Sequence, residues 1–562
     1  MCEKPGASQS SMIVLSIATF AFPALMSLVL LGTRAASILD GPAQWLTTSG
    51  GESISLYNIM KVQRGLPLYE DPRQPPNYPT TLYNAGFYQI YARATWAFRN
   101  ETARLLPSIR FLTLTMACLG LAGMLSYALT GLRRRSSEVS AVGATLVMIF
   151  AAITVMLGAM PGWWLLTARP DIAAAACGAV ALAIVLGFGT GREWTTGLSA
   201  GLCLALAWSF KQSCVLIFAG LLLSALVQRR YRLSVALFLP VATLAIAMAT
   251  FLGRDYRYNA FFATSLSPFQ TRNMIQLGIR LTLKGVFPLT AAILALGMLP
   301  HALWLRRDER ISLVASWWTS LIGGFIMCCR SGSELNYFFE LWVVVGFLTV
   351  TLARLMVQYP SPTGRRPPRL AALVLGVAAL CSTAADAACL IGVGRFGTAR
   401  LSMSPEMRVE LENAKVIARQ SAGAVFCQPA LTGLALDLPF PAYVFDDYPY
   451  FHTPALKRGL LHGQGLPGLI ADHHFRMIIL QRDEIKLREE AIRAGYIPQP
   501  KWSHFAVFIQ PVETSGGLSS GAMWFGTPNP CVASLGLNPI HLGQGRVHLQ
   551  GDGAKTSIPA GD

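Results

Sequence analysis

Apolar runs of membrane-crossing length, broken by short clusters of arginine, fill the chain as far as Val393. A helix needs about 20 mostly apolar residues to cross the hydrocarbon layer. Windows of that kind lie at Met12–Leu31, Ser108–Leu132, Val139–Met160, Asp171–Gly189, Thr195–Phe210, Ser213–Val227, Leu233–Gly253, Leu277–Trp304, Ile311–Cys329, Tyr337–Val357 and Leu370–Val393. The pattern predicts about eleven spans, the fifth and sixth short and nearly continuous. Met12–Leu31 lacks the basic start and small-residue cleavage site of a signal sequence, so it reads as an uncleaved first span.

After Arg395 the periodicity changes. Pro405–Gln420 is expected to be a helix with Met407, Leu411, Ala414 and Ile417 on one face. Ala424–Cys427, Ala442–Phe445, Phe475–Leu480 and His504–Ile509 read as strands, and Asp483–Ala494 as a charged helix. The predicted fold class is an α-helical polytopic membrane protein with a small extracytoplasmic α/β domain at the C-terminus. The expected division is 1–395 for the multi-span domain with its outer loop 33–107, 396–512 for the α/β domain, and 513–562 for a Gly-, Ser- and Pro-rich tail expected to be disordered.

Composition removes several function classes. Only 13% of the residues are charged against 53% hydrophobic, whereas a soluble domain carries about a quarter charged, so a cytosolic enzyme is excluded. A formal charge of +17 would point to nucleic acid in a soluble protein. Here the arginines cluster between spans instead, and nucleic acid is excluded as a partner. Arg133–Arg135, Arg192, Arg229/Arg230/Arg232, Arg306/Arg307/Arg310 and Arg365/Arg366/Arg369 occupy alternate loops and mark the cytoplasmic face. The N-terminus is then cytoplasmic, and loop 33–107 and everything after the last span lie outside. Most of the eleven cysteines sit in apolar runs without CxxC spacing, as small apolar fillers do.

Three cations stand on the face where that bias disfavours them: Arg169, Lys211 and Arg330. Ionisable groups at the mouth of a helix bundle point to function. Each also has a structural reading: Arg169 as counter-ion of Asp171 at a helix start, Lys211 snorkelling from a span end, and Arg330 paired with Glu334. In loop 33–107, Gly50-Gly51-Glu52-Ser53 opens a predicted interfacial helix carrying Ile54, Tyr57 or Asn58, Lys61 and Val62. A second follows with Tyr83, Tyr88, Tyr91 and Trp96. Glu52 stands out as an acid at the end of the first span, with Asp40, Glu70 and Asp71 as competitors. His473-His474 and Asp446-Asp447 lack a third ligand at metal-site spacing. Asn100-Glu101-Thr102 matches a glycosylation sequon near the membrane, a weak signal.

An acid after the first span is followed by Gly65-Leu66-Pro67-Leu68-Tyr69-Glu70-Asp71-Pro72, then by Asn77-Tyr78-Pro79 with Tyr83. Further along come Arg169-Pro170-Asp171, Phe210-Lys211-Gln212, and Gly332-Ser333 with Asn336-Tyr337-Phe338. In that order these segments resemble the multi-span glycosyltransferases of the GT-C type. They are similar to the group of protein O-mannosyltransferases, lipid A aminoarabinose transferases and rhizobial lipopolysaccharide galacturonosyltransferases. The resemblance covers residues 12–395 and rests on the ordered set, since no single motif is specific. Ser53 stands where many relatives have Gly, Arg330 where Lys is common, and Glu52 is alone where the mannosyltransferases have an Asp-Glu pair.

The resemblance implies a hexosyl- or pentosyltransferase in a bacterial cytoplasmic membrane. It would move a sugar from a polyprenyl-phosphate carrier to an envelope acceptor, whether glycolipid, polysaccharide or protein. Glu52 would be the general base, and Lys211, Arg330 and Arg169 would hold the donor phosphate. Tyr69, Asp71, Tyr78, Asp171, Gln212, Ser333, Asn336 and Tyr337 would contact substrate. No cofactor is assigned, and a divalent cation is left open. A transporter or flippase of a lipid-linked sugar is the alternative; it predicts internal repeats and polar groups at the membrane midplane, and the sequence has no visible repeat. A membrane scaffold displaying its outer domain would give Glu52, Lys211 and Arg330 no reason to converge.

Overall fold

The computed structural model describes residues 7–39, 50–75, 78, 81–132, 138–188, 191–263, 265–302, 305–330, 333–358, 371–384, 387, 409–410, 412–414, 416–417, 423–427, 442–444, 452–481, 485–499 and 505–510. All lie in the first of two compact units, Met1–Pro511; the second is Val512–Asp562. The tail expected to be disordered, Asp40, the arginines at 133–135 and 365–369, Asn77, Asp446-Asp447, Gly332 and most of the helix expected over Pro405–Gln420 fall outside the described residues.

In chain order the helices are α1 (Ala7–Leu39), α2 (Gly50–Gln63), α3 (Ala85–Ala94), α4 (Thr102–Leu132), α5 (Glu138–Met156), α6 (Asp171–Phe188), α7 (Glu193–Phe210), α8 (Leu216–Val227), α9 (Tyr231–Phe251), α10 (Gly253–Arg257), α11 (Thr271–Lys284), α12 (Val286–Met298), α13 (Arg307–Cys328) and α14 (Phe339–Gln358). Another covers Ala371–Ala384. Each of the eleven apolar windows therefore contains a helix. Among the described residues six helices are long and apolar enough to cross a membrane, or seven if α11 and α12 count as one bent span. The shortest helix among those windows, α8, has 12 residues, about 18 Å at 1.5 Å each, against a hydrocarbon layer of about 30 Å.

The most enclosed helix is α14. Its residues Phe339–Met356 are all buried, as suits a helix that is apolar all round. It packs between α5, α12 and α13, and Trp342 donates its indole N–H to the Val155 carbonyl at 2.7 Å. Central placement lets it carry Glu340, whose carboxylate accepts the Leu216 and Ile217 backbone N–H groups at 3.1 and 2.9 Å. Glu340 thus caps the start of α8.

The two helices expected to lie in the interface are packed inside instead. On α2, residues 52–56 and 58–61 are all buried. Leu56, Ile59 and Met60 form one core with Tyr83, Phe87, Tyr88 and Tyr91 of the α3 region and Leu105, Leu106 and Ile109 of α4. Of the aromatics assigned to a headgroup belt, Trp96 is exposed, while the three tyrosines are not. Hydrophobic spacing marks a helix face but not the surface it meets.

Residues 425–509 form a five-stranded sheet of order β2-β1-β3-β5-β4: β1 (Val425–Cys427), β2 (Ala442–Val444), β3 (Met477–Gln481), β4 (Ile497–Pro498) and β5 (Phe505–Ile509). β1 is parallel to β2 and β3, and β5 is antiparallel to β3 and β4. Helices Gly465–Ala471 and Ile485–Arg493 cover it through Leu466, Ile470, Leu487 and Ala491, and Tyr78 from the first loop joins the same core.

Candidate functional site

Four segments far apart in sequence meet around Asp171, the first residue of α6. The carboxylate is buried and accepts from Lys211 Nζ at the end of α7, from Arg169 Nε at 3.1 Å and from Asn336 Nδ2 at 2.8 Å. Arg169 reaches further, with Nη1 donating to Glu334 Oε2 at 3.1 Å and Nη2 to the Tyr83 hydroxyl at 3.4 Å. Two aromatic faces finish the cluster. The Arg169 guanidinium lies 4.0 Å from the Trp164 ring centroid, and Lys211 Nζ lies 4.5 Å from that of Tyr337. Such contacts strengthen where water is excluded.

The local sequence explains the approach. Pro170 directly precedes α6, and Asp171 in its first turn complements the positive end of the helix dipole. Gly51 gives Arg169 room, since a Cβ there would stand 3.0 Å from its guanidinium carbon. Asp171 and Glu334 balance Arg169 and Lys211, so the group is electrically closed except at Glu334, whose side chain is 46% exposed. Burial pushes the Tyr83 phenol up to about 12 against the opposing pull of Arg169, which keeps the hydroxyl neutral. Two buried acceptors, Asn336 Oδ1 and Gln212 Oε1, have no partner among the described residues. A buried acceptor calls for a ligand donor or a water.

Glu52 lies behind this cluster at 0% exposure. Arg110 of α4 binds it through both arms at 2.9 Å, and the Ala168 backbone N–H donates to Oε1 at 2.8 Å. Glu52 therefore ties α2 to α4 and to the Thr167–Arg169 turn, which Thr113 also holds by donating to the Thr167 carbonyl at 2.8 Å.

The remaining candidates fall elsewhere. Arg330 is exposed; its backbone bridges to Phe269, and its carbonyl accepts from Asn273 at 2.8 Å. Glu334, read from sequence as its partner, turns to Arg169 instead. Lys211 is held by Asp171 rather than snorkelling. Gln212 donates to the Leu82 and Ala260 carbonyls at 2.7 and 3.0 Å, and Ser333 to the Met327 carbonyl at 3.0 Å. In the first loop, Tyr69 donates to the Tyr83 carbonyl at 2.8 Å and Lys61 pairs with Glu70. Asp71 pairs with Arg73 at 2.7 Å, which holds its carboxyl below the usual carboxylate range. The Tyr78 hydroxyl donates to the His462 carbonyl at 2.7 Å and accepts the Gly465 N–H at 3.2 Å, so it fastens the loop to the sheet region.

Sequence reasoning missed Arg110, Trp164 and the role of Glu334. Arg110 had a visible signal, a charge inside an apolar run. Trp164 had none. Among the described residues no three His, Cys, Asp or Glu side chains gather as metal ligands.

No protein-family model and no curated protein matches the sequence. Solved structures do. ArnT from Cupriavidus metallidurans in the apo state matches with a TM-score of 0.53 and 12% identity, over 86% of this chain and 97% of ArnT. The same protein bound to undecaprenyl phosphate matches with a TM-score of 0.54 and 12% identity, over 87% of this chain and 99% of ArnT. ArnT is a GT-C glycosyltransferase, and at this identity the likeness is one of fold. The chain is thus a helical multi-pass membrane protein with a GT-C-like fold.

Proposed function

We propose that this protein is a membrane glycosyltransferase that takes a sugar from a polyprenyl-phosphate carrier and passes it to an envelope acceptor on the outer face of a bacterial cytoplasmic membrane. The observation that carries the reading is the meeting of Arg169, Asp171, Lys211 and Asn336 from three separate motifs, within a fold shared with a protein that binds undecaprenyl phosphate. Cations that share a buried carboxylate can exchange it for a phosphate, and charge-assisted bonds from Arg and Lys to phosphate are strong. Arg169 and Lys211 would hold the departing lipid phosphate while charge develops on it. Asp171 keeps both cations aligned between turnovers. Asn336 Oδ1 and Gln212 Oε1 are free acceptors for sugar hydroxyls. Arg330 is assigned to the approach of the phosphate, because it is exposed and three residues before Ser333.

Glu52 is assigned the base that takes the proton of the acceptor hydroxyl as it attacks the anomeric carbon. Its bonds to Arg110 and the Ala168 N–H compete with that task, so the role asks for one of them to open. Glu52→Gln should then cost about 10²–10⁴ in rate. Loss in Asp171→Asn with an active Glu52→Gln would move the base to Asp171. Mass analysis of envelope glycans from a deletion strain tests the function itself: loss of one sugar substituent is expected, and an unchanged envelope glycan profile contradicts it. Reporter fusions at Ser136 and Gly423 test the orientation and should report opposite sides.

A further inference from the structure

The amphipathic helix α11 takes no part in the Asp171 cluster, yet it is tied to it. It meets α12 at 89°. The corner depends on Gly285, where a Cβ would stand 2.8 Å from the Trp342 ring and from the Leu281 carbonyl oxygen. Phe287, Pro288, Ala291, Ala292 and Ala295 of α12 pack into the bundle, so α11 runs across the bundle's end. Its residues divide into three adjacent stripes with a four-residue repeat. Leu277 and Leu281 are buried, Ile275, Ile279 and Leu283 are 58%, 55% and 63% exposed, and Arg272, Gln276 and Arg280 are exposed beside them. Among the described residues no carboxylate pairs with Arg272 or Arg280.

Three exposed aliphatic side chains in a row are unfavourable in water. A helix that sets an aliphatic stripe beside arginines, at right angles to an apolar helix, has the form of one lying in a membrane interface. We propose that α11 is a lipid-sensing interfacial helix: Ile275, Ile279 and Leu283 sit among acyl chains, and Arg272 and Arg280 bind the phosphates of anionic phospholipids. Its start is fastened to the segment that leads into the cluster. Asn273 Nδ2 donates to the Cys328 and Arg330 carbonyls at 3.1 and 2.8 Å, and Phe269 bridges to Arg330. Four to six residues later the same segment delivers Glu334 and Asn336 to Arg169 and Asp171. Lipid held at α11 therefore steadies the segment that completes the site, whatever reaction the site performs.

The test uses the full chain in nanodiscs of phosphatidylcholine with phosphatidylglycerol. With benzoylphenylalanine at position 279, irradiation should yield phospholipid adducts detectable by mass spectrometry. Native mass spectrometry of the wild-type chain should show phosphatidylglycerol retained over phosphatidylcholine. Arg272→Gln with Arg280→Gln should lower that preference by about fivefold per arginine, the factor that corresponds to roughly 1 kcal/mol per interfacial cation. Unchanged phosphatidylglycerol retention in the double variant overturns the proposal, as does a lack of lipid adducts at position 279. Displacement of the retained phosphatidylglycerol by equimolar undecaprenyl phosphate also overturns it, because the arginines would then belong to the carrier. The cross-linking arm leaves both arginines in place, so it decides the matter even if the double variant misfolds.

Discussion

Two buried charge clusters stand at opposite ends of the same helices. Arg110 and Tyr127, both on α4, are about 25 Å apart along its axis. Around Tyr127, the hydroxyl donates to Glu309 Oε1 at 2.6 Å and meets Thr351 of α14 at 3.1 Å. Arg354 and Arg306 approach the same carboxylate at 3.7 and 3.8 Å. These arginines stand at the end where the sequence pattern concentrates them, and the carboxylate ties α4, α13 and α14 together. Around Asp171 the cations stand where the pattern disfavours them. A buried acceptor there, Asn336 Oδ1, has no partner among the described residues, and one carboxylate, Glu334, reaches the surface. The contrast separates a clamp from a candidate site: both hold buried charge, but among the described residues the second alone has a buried acceptor without a partner.

The largest expected effect breaks the Asp171 cluster. Lys211→Met removes one of the two cations on a buried carboxylate, leaving Arg169, and should destabilise the protein by about 3 kcal/mol in denaturant unfolding. Adding Asp171→Asn should recover much of that stability without restoring transfer. Equal stability of the single and double variants would mean that Lys211 does not compensate Asp171.

Next comes a pH effect from outside both clusters. His452, buried beside the Gly465–Ala471 helix with its Nε2 accepting the Leu466 N–H at 3.2 Å, is pushed down to about 4 by burial, so the unfolded chain, with an ordinary value near 6.5, takes up the proton first. The stability from neutral His452 is complete above pH 6.5 and falls as pH drops towards 4, by up to about 3 kcal/mol. His452→Gln should flatten the unfolding curve in that window. A curve that stays as steep would place the acid sensitivity in one of the two clusters instead.

Smaller again is Glu309→Gln, which should cost about 1–3 kcal/mol and leave transfer intact. Transfer abolished in a folded Glu309→Gln protein would erase the distinction between clamp and site. The smallest effect is Tyr78→Phe, about 1 kcal/mol for the lost bonds to His462 and Gly465, seen as faster proteolysis of the region after residue 452.

How far the sequence foretold these two ends follows from what a sequence encodes. All eleven apolar windows contain helices, because length and hydropathy are local properties. Whether a helix crosses in full is less legible: α8 has only 12 residues, and α11 turns aside from α12 at Gly285. The strands at 425–427, 442–444, 477–481 and 505–509 lie within or next to the expected stretches. Arg169, Asp171, Lys211 and Asn336 were legible as chemistry because cations on the disfavoured face are conspicuous. Their mutual bonds were not, since partner choice is a tertiary event. Glu334 looked like a neighbour for Arg330 and pairs with Arg169 across 165 residues of chain. Glu52 reads as an acid at the end of the first span, and its partner, Arg110, is a cation hidden within the second window.

The central claim is that the Asp171 end binds a polyprenyl phosphate through Lys211 and Arg169. Its most direct test is titration of undecaprenyl phosphate into the full-length protein in phosphatidylcholine nanodiscs, comparing wild type, Lys211→Met with Asp171→Asn, and Glu309→Gln. Wild type and Glu309→Gln should bind with similar affinity, and the double variant should bind at least about tenfold more weakly, the loss of one charge-assisted bond. Equal binding by all three, or a loss confined to Glu309→Gln, would contradict the account.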